Sequence, residues 1–289
     1  MAQRRVLIFG GNGFMGRALV SHLRALGDEV VAPSRAEAPI VDAEGVLAAT
    51  FAARPDVIIN LAGISSVQHH DNAALYETNM IGHLRVLEAA AKAAPGARVF
   101  LASTANIYGQ GAGASFRESD PPAPLNHYGL SKLAAEQLHL VYAKSLQLCA
   151  VRPFNCIGRG QKSSLVVSKL VDAFRRRLPV IELGNLDVRR DFVDIRDVCG
   201  MWATLISAAP PPVVNFGTGE TAALMEVVAM LEQLTGHAPK IVSSPAFARA
   251  ADIIYQQADP SLITSLGFRR QHHLRDTLAW MLADEGDQS

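Results

Sequence analysis

The sequence predicts an α/β fold, a Rossmann-type doubly wound parallel sheet with a smaller C-terminal α/β substrate-binding domain. Three observations predict it. Helical and strand periods alternate through the first half of the chain, the pattern of βαβ units. Runs such as Val57-Ile-Ile-Asn-Leu-Ala62 and Val99-Phe-Leu-Ala-Ser103 are apolar at consecutive positions, as strands covered by helices on both faces must be. A glycine cluster, Gly10-Gly-Asn-Gly13-Phe-Met-Gly16, follows the first apolar run directly.

Strands are expected over Arg4 to Phe9, Glu29 to Ala32, Val57 to Leu61, Arg98 to Ser103 and Leu148 to Pro153, with a further short strand just before Asp42. The intervening helices are Phe14 to Leu26, Val46 to Ala53, Asn72 to Ala94 and Tyr128 to Ser145. Beyond Asn155 the alternation lapses into an Arg-rich stretch and a strand-like Leu178-Pro-Val-Ile-Glu-Leu-Gly184, before a helix near Asp197 to Ser207. Pro210-Pro-Pro212 punctuates, Val213 to Phe216 is a strand, and Leu224, Val227, Val228, Leu231 and Leu234 line one face of a helix closed by Thr235-Gly236. Asp259-Pro-Ser261 starts a short helix that Gly267 stops, and Leu274, Leu278, Met281 and Leu282 form the stripe of the last one. The division expected is residues 1–155 for a dinucleotide and 156–289 for a substrate, with the segment near 191–216 packing back on the first domain.

Among the 289 residues, 49% are hydrophobic and 19% charged, and 27 Lys+Arg balance 27 Asp+Glu. That composition excludes disorder and gives no electrostatic bias toward nucleic acid or an anionic membrane. The longest apolar runs fall far short of the roughly 18 residues of a membrane helix. With no signal-peptide pattern, the expected compartment is the cytoplasm. Cys149, Cys156 and Cys199 have neither disulfide-framework nor zinc spacing and read as packing residues, so no metal is expected.

Gly10-x-x-Gly13-x-x-Gly16 between strand and helix lets the backbone approach a pyrophosphate, which then sits on the helix N-terminus at Phe14 and Met15. At the end of the second strand, where an NAD site usually places an acid for the ribose 2′-hydroxyl, stand Ser34 and Arg35. A guanidinium pairs with a 2′-phosphate that a carboxylate would repel, so NADP(H) is preferred and NAD(H) is the alternative. Asp42 is a candidate for the adenine edge, with a helix cap as the competing role.

Tyr128-Gly-Leu-Ser-Lys132 is the second motif. With five tyrosines and six lysines in the chain, a Tyr-x-x-x-Lys arises by chance about 0.1 times. On a helix the two share a face, and the ammonium is expected to stabilise the phenolate and lower its pKa toward the working range, which makes a general acid/base. Ser103-Thr104-Ala-Asn106 puts two hydroxyls at the carboxyl edge of the sheet, where Thr104 can donate to a substrate carbonyl oxygen; a capping role competes there too.

Together with Asn60-Leu-Ala-Gly63, Asn79, Ser103-Thr104-x-x-x-Tyr108-Gly109 and Arg152-Pro-Phe-Asn155, these motifs resemble the extended short-chain dehydrogenase/reductase (NAD-dependent epimerase/dehydratase) family over essentially the whole chain. The resemblance implies that Tyr128 is the proton donor or acceptor, that Lys132 also holds the nicotinamide ribose, and that Thr104, supported by Ser103, binds the reacting oxygen. It implies cofactor contacts from Leu61, Ala62, Gly63, Asn79 and Pro153, and substrate contacts from Ser65, Ser103, Asn106, Asn155, Asn185, Arg190 and Arg249. Two arginines and an amide suit a pyrophosphate. The pattern from Arg152 to Gln161 and from Gly184 to Asp197 is similar to the branch that reduces GDP-4-keto-6-deoxy-D-mannose, although Cys156 and Arg159 stand where that branch commonly has His and Pro. Dehydratases of the family carry an acidic pair where this chain has Ala105 and Asn106, so dehydration is not expected.

The expected function is thus NADPH-dependent reduction of a nucleotide-linked 4-keto-6-deoxyhexose, GDP-4-keto-6-deoxy-D-mannose to GDP-D-rhamnose. A UDP-hexose 4-epimerase retaining NAD and a non-catalytic dinucleotide sensor are the alternatives. By analogy with the family, a homodimer is expected through the helices of Asn72 to Ala94 and Tyr128 to Ser145.

Overall fold

The computed structural model describes residues 3–65, 69–110, 115–186, 188–244 and 253–283. The first half runs β1 (Arg5–Phe9), α1 (Phe14–Ala25), β2 (Glu29–Val31), α2 (Ala43–Ala53), β3 (Val57–Asn60), α3 (Asn72–Tyr76), α4 (Gly82–Ala93), β4 (Arg98–Ala102), α5 (His127–Tyr142) and β5 (Gln147–Pro153). The second half runs β6 (Asn155–Ile157), α6 (Val166–Arg175), β7 (Val180–Leu183), β8 (Arg189–Arg190), β9 (Phe192–Asp194), α7 (Ile195–Ser207), β10 (Val213–Phe216), β11 (Ala222–Ala223), α8 (Leu224–Thr235), β12 (Lys240–Ser243), β13 (Tyr255–Gln256), α9 (Ser261–Ser265) and α10 (Leu274–Leu282).

Six parallel strands form the main sheet in the order β10-β5-β4-β3-β1-β2. Side-chain alternation within each apolar strand feeds two cores. Val6, Ile8, Val57, Ile59 and Phe100 pack with Leu19 and Leu23 of α1 and Trp202 of α7, while Leu7, Phe9, Ile58 and Val99 pack with Val46 of α2 and Val86 and Leu87 of α4. The crossover helices therefore change face on either side of β1, which opens a crevice at the carboxyl ends of β1 and β3. Residues 195–216 return to this sheet: α7 packs on α1 and β10 pairs with β5. A separate core gathers Val167, Leu170 and Phe174 of α6, Val227 and Leu231 of α8, and Leu278 of α10.

Two local expectations are overturned. The residues before Asp42 form turns instead of a short strand, because the buried Ala38 and Ile40 anchor the segment and Ile40 lies against Gly82 at the start of α4. The long helix of 72–94 is interrupted by a π-helical turn at Glu77–Ile81, the kind of local widening that recurs at functional sites. Among the described residues, no helix is long and apolar enough to cross a membrane.

Candidate active site

The crevice begins at the glycine loop. Gly10 has φ +83°, and a Cβ there would sit 2.5 Å from the Ala62 nitrogen, so the loop after β1 meets the Leu61-Ala62-Gly63 loop after β3 backbone to backbone. Gly13 is the N-cap of α1 with no side chain accepting from the first turn, which leaves the N–H groups around Phe14, Met15 and Gly16 available to an anion. These features suit the pyrophosphate of a dinucleotide.

At the β2 end, Ser34 and Arg35 stand next to an acid that motif reading missed. Glu37 accepts from the Ser34 N–H at 2.7 Å, and its own N–H donates to Ser34 Oγ at 3.3 Å. The hydrogen bonds to Ser34 hold the Glu37 carboxyl below its usual range. Asp42 caps α2, accepting from the Glu44 N–H at 3.1 Å, so its side chain has the capping role.

Tyr128 and Lys132 lie one turn apart on α5, whose start Asn126 caps by accepting from the Gly129 N–H at 2.8 Å. Both are buried, at 8% and 4% exposure. The Lys132 ammonium donates to the Ala102 carbonyl at 2.8 Å, and a Cβ on Gly63 would lie 3.0 Å from its Nζ. Asn79, in the π turn, accepts from the Ile64 N–H at 2.9 Å and donates to the Ile64 carbonyl at 3.1 Å and to Ser131 Oγ at 2.9 Å. Asn79 therefore braces the loop after β3 against the helix of Tyr128 and Lys132. The widened turn that aims it was not expected, because nothing in the helical period marks it.

Thr104 Oγ1 accepts from the Asn106 N–H at 3.2 Å and its Nδ2 at 3.1 Å, and the Thr104 side chain is close enough to the Tyr128 phenol to pull its pKa down. Thr104 thus caps the short 3-10 turn of Ala105–Tyr108 and also meets the phenol. Ser103 Oγ is buried without a partner.

The electrostatics correct one expectation. Burial pushes the Tyr128 phenol up rather than down, with Thr104 pulling the other way. The reason is geometric: Lys132 turns its ammonium to the Ala102 carbonyl, and desolvation dominates. Burial pushes Lys132 down to about 8, and Glu136 on the next turn pulls it back up.

The substrate side is partly assembled. Asn155 donates through Nδ2 to the Asp191 carbonyl at 3.3 Å and to Gln256 Oε1 at 3.4 Å, and Gln256 Nε2 is buried without a partner. Arg190 donates to the Arg189 carbonyl at 3.1 Å and to that of Ile254 at 3.4 Å. Asp191 is fully buried and pins the turn at Thr218 and Gly219 together with the Ala258 N–H. Ser65 is exposed, while Asn185 and Pro153 are half-buried. Arg249 lies outside the described residues.

Comparison with known proteins decides the family. The model of the NAD dependent epimerase/dehydratase family matches residues 6–217. The chain belongs to this family. A relative named GDP-6-deoxy-D-talose 4-dehydrogenase, from Aggregatibacter actinomycetemcomitans, is 33% identical over 91% of this chain and 91% of its own length. A GDP-6-deoxy-D-mannose reductase from Pseudomonas aeruginosa is 31% identical over 86% of each. Among solved structures, RMD from Pseudomonas aeruginosa complexed with NADPH aligns with a TM-score of 0.89 and 26% identity over 98% of both chains. A UDP-glucose 4-epimerase of Thermus thermophilus with NAD aligns with a TM-score of 0.86 and 28% identity, over 96% of this chain and 97% of that one. The glycine loop, the uncapped α1 and the Gly63 cradle beside Lys132 fit the nicotinamide dinucleotide of this enzyme family.

Proposed function

We propose that the enzyme reduces a nucleotide-linked 4-keto-6-deoxyhexose with NADPH, converting GDP-4-keto-6-deoxy-D-mannose to GDP-D-rhamnose. The observation that carries this reading is the Tyr128 phenol, buried, kept protonated at neutral pH and next to Thr104 at the carboxyl edge of the sheet. A group in that state is a proton donor to a carbonyl. The two GDP-linked relatives support the substrate class.

When bound, the nicotinamide supplies the hydride that reduces the sugar C4. Tyr128 gives its phenolic proton to the C4 oxygen, and Thr104 steadies the oxygen as charge develops on it. Lys132, charged below about pH 8 and held by the Ala102 carbonyl, is assigned to the nicotinamide ribose one turn from the phenol. Asn155 and Arg190, with Ser65, Asn106, Asn185 and Arg249, are assigned to the nucleotide diphosphate and sugar. Phe14, Met15, Gly16 and the loop Leu61-Ala62-Gly63 are assigned to the cofactor with Pro153, and Ser34 with Arg35 to its 2′-phosphate. The exposed Leu130, Leu140 and Val141 on α5 support a homodimer through α4 and α5.

The relative named for 6-deoxy-D-talose favours a second reading, in which the same ketone gives the C4-epimeric alcohol. NMR of the product from GDP-4-keto-6-deoxy-D-mannose and NADPH separates the two. Tyr128→Phe is expected to lower turnover by roughly 10²- to 10⁴-fold with NADPH still bound. Unchanged turnover would sink the assignment.

A further inference from the structure

Behind the Tyr128–Lys132 pair lies a chain of buried polar groups that proton transfer does not use. Glu136 continues the stripe of Tyr128 and Lys132 by one more turn of α5. Its carboxylate is gripped by Arg152 of β5 through two parallel bonds, Nε to Oε1 at 3.1 Å and Nη2 to Oε2 at 2.7 Å. Both side chains of this pair are about 95% buried (6% and 5% exposed). Arg152 Nη1 also donates to the Tyr108 hydroxyl at 2.8 Å and to the Glu118 carbonyl at 3.2 Å. Tyr108 in turn donates to Asn215 Oδ1 at 2.7 Å. Tyr108 ends the 3-10 turn that begins directly after Thr104. One guanidinium therefore joins the helix of Tyr128 and Lys132 to the turn of Ser103 and Thr104.

Few charges face Lys132. Glu136 does so from α5 itself, with Tyr128 on its other side. From α4 comes His83, fully buried and held neutral, since burial, His139 and Lys132 all push its pKa down. The π turn offers the uncharged Asn79, β4 the Ala102 carbonyl, and the loop after β3 the bare Gly63. From β5, Arg152 faces Glu136, and Cys149 is a neutral thiol beside that carboxylate. Glu136 is thus the one carboxylate near Lys132 among the described residues named here, and an ion pair this deeply buried is costly to desolvate unless its geometry is good.

We propose that Glu136, clamped by Arg152, is a positioning residue for the acid–base pair: it holds the Lys132 ammonium in its charged form and registers the helix of Tyr128 against the turn of Thr104. This rests on the reading of Tyr128 and Lys132 as that pair.

The test reads Lys132 directly, without substrate. In protein labelled with ¹³Cε-lysine, the six lysines titrate separately, and Lys132→Arg assigns the resonance. The Lys132 midpoint is expected near 8 in the wild type. In Glu136→Gln it should fall by about one pH unit, with the other five unmoved. A residue that only fills space would leave the midpoint in place, and that result overturns the proposal. If Glu136→Gln does not fold, the paired replacement Glu136→Leu with Arg152→Met removes both charges, and a fall in the same direction but smaller is expected, because no unpaired guanidinium is left behind; an unmoved midpoint there also overturns it. Loss of turnover on every 4-keto sugar, with the lysine shift present, would sink the proposed function and leave this inference standing.

Discussion

Asn79→Ala is the perturbation whose cost can be worked most directly from the structure. The side chain is 1% exposed and makes three hydrogen bonds, two to Ile64 and one to Ser131. Each is worth about 1 kcal/mol net, and their partners are left part-buried, so a loss of about 3 kcal/mol is expected. For a chain of this length that lowers the melting temperature by about 6 °C, at roughly 2 °C per kcal/mol. The damage is directional. Ile64 follows the Gly63 cradle, and Ser131 precedes Lys132, so loop and helix lose their mutual register where the cofactor is assigned. NADPH affinity should fall about tenfold, which corresponds to about 1.4 kcal/mol. Thermal melts and fluorescence titration with NADPH check both numbers. A melting temperature within about 1 °C of the wild type, with NADPH affinity unchanged, would refute the brace.

Gly63→Ala places a Cβ 2.7 Å from Asn79 Oδ1 and 3.0 Å from Lys132 Nζ, and Asn79 cannot yield without breaking its bonds. Steady-state kinetics should show kcat down by about tenfold or more, as overpacking of roughly 1–3 kcal/mol displaces the ammonium. The pH profile follows from Lys132, whose pKa lies at about 8: the charged form exists below it, so reductive kcat/KM should hold on the acid side and fall as pH rises through about 8. A reductive rate that climbs through that range would contradict the assignment. Arg35→Ala should raise KM for NADPH by about tenfold to a hundredfold while leaving KM for NADH in place, the cost of losing a charge-assisted bond to the 2′-phosphate. Glu37→Gln removes a carboxylate from the Ser34 N–H and should favour NADPH further; equal effects on both cofactors would remove Ser34 and Arg35 from the 2′ position.

Much of the scaffold was legible because its signals are local. Runs such as Val57 to Asn60 are apolar on both faces whatever surrounds them, and a glycine loop after the first strand fixes where the crevice opens. The Tyr128–Lys132 pair is legible for the same reason, a helical spacing of four. What escaped depends on distant packing. In the π turn at Glu77–Ile81, Asn79 bonds to Ile64, a contact between residues 15 apart that no local period reveals. Asp191 stands directly after Arg189 and Arg190 in the sequence, yet it is buried and ties down the turn at Thr218 and Gly219. The direction of the Tyr128 shift also escaped, since the spacing shows that Lys132 is near but not that its ammonium turns to Ala102. Glu136 was within reach of the same spacing rule, one turn further along α5, but its partner Arg152 lies on another strand.

We propose that this fold reduces a nucleotide-linked 4-keto-6-deoxyhexose through Tyr128. The most direct measurement is NADPH consumption on freshly generated GDP-4-keto-6-deoxy-D-mannose, with the UDP- and dTDP-linked 4-keto sugars and NADH in parallel, for wild type and Tyr128→Phe. Strong turnover on the GDP-linked ketone with NADPH is expected, with its collapse in the variant. No turnover on any of these ketones by a wild-type protein that binds NADPH would contradict it.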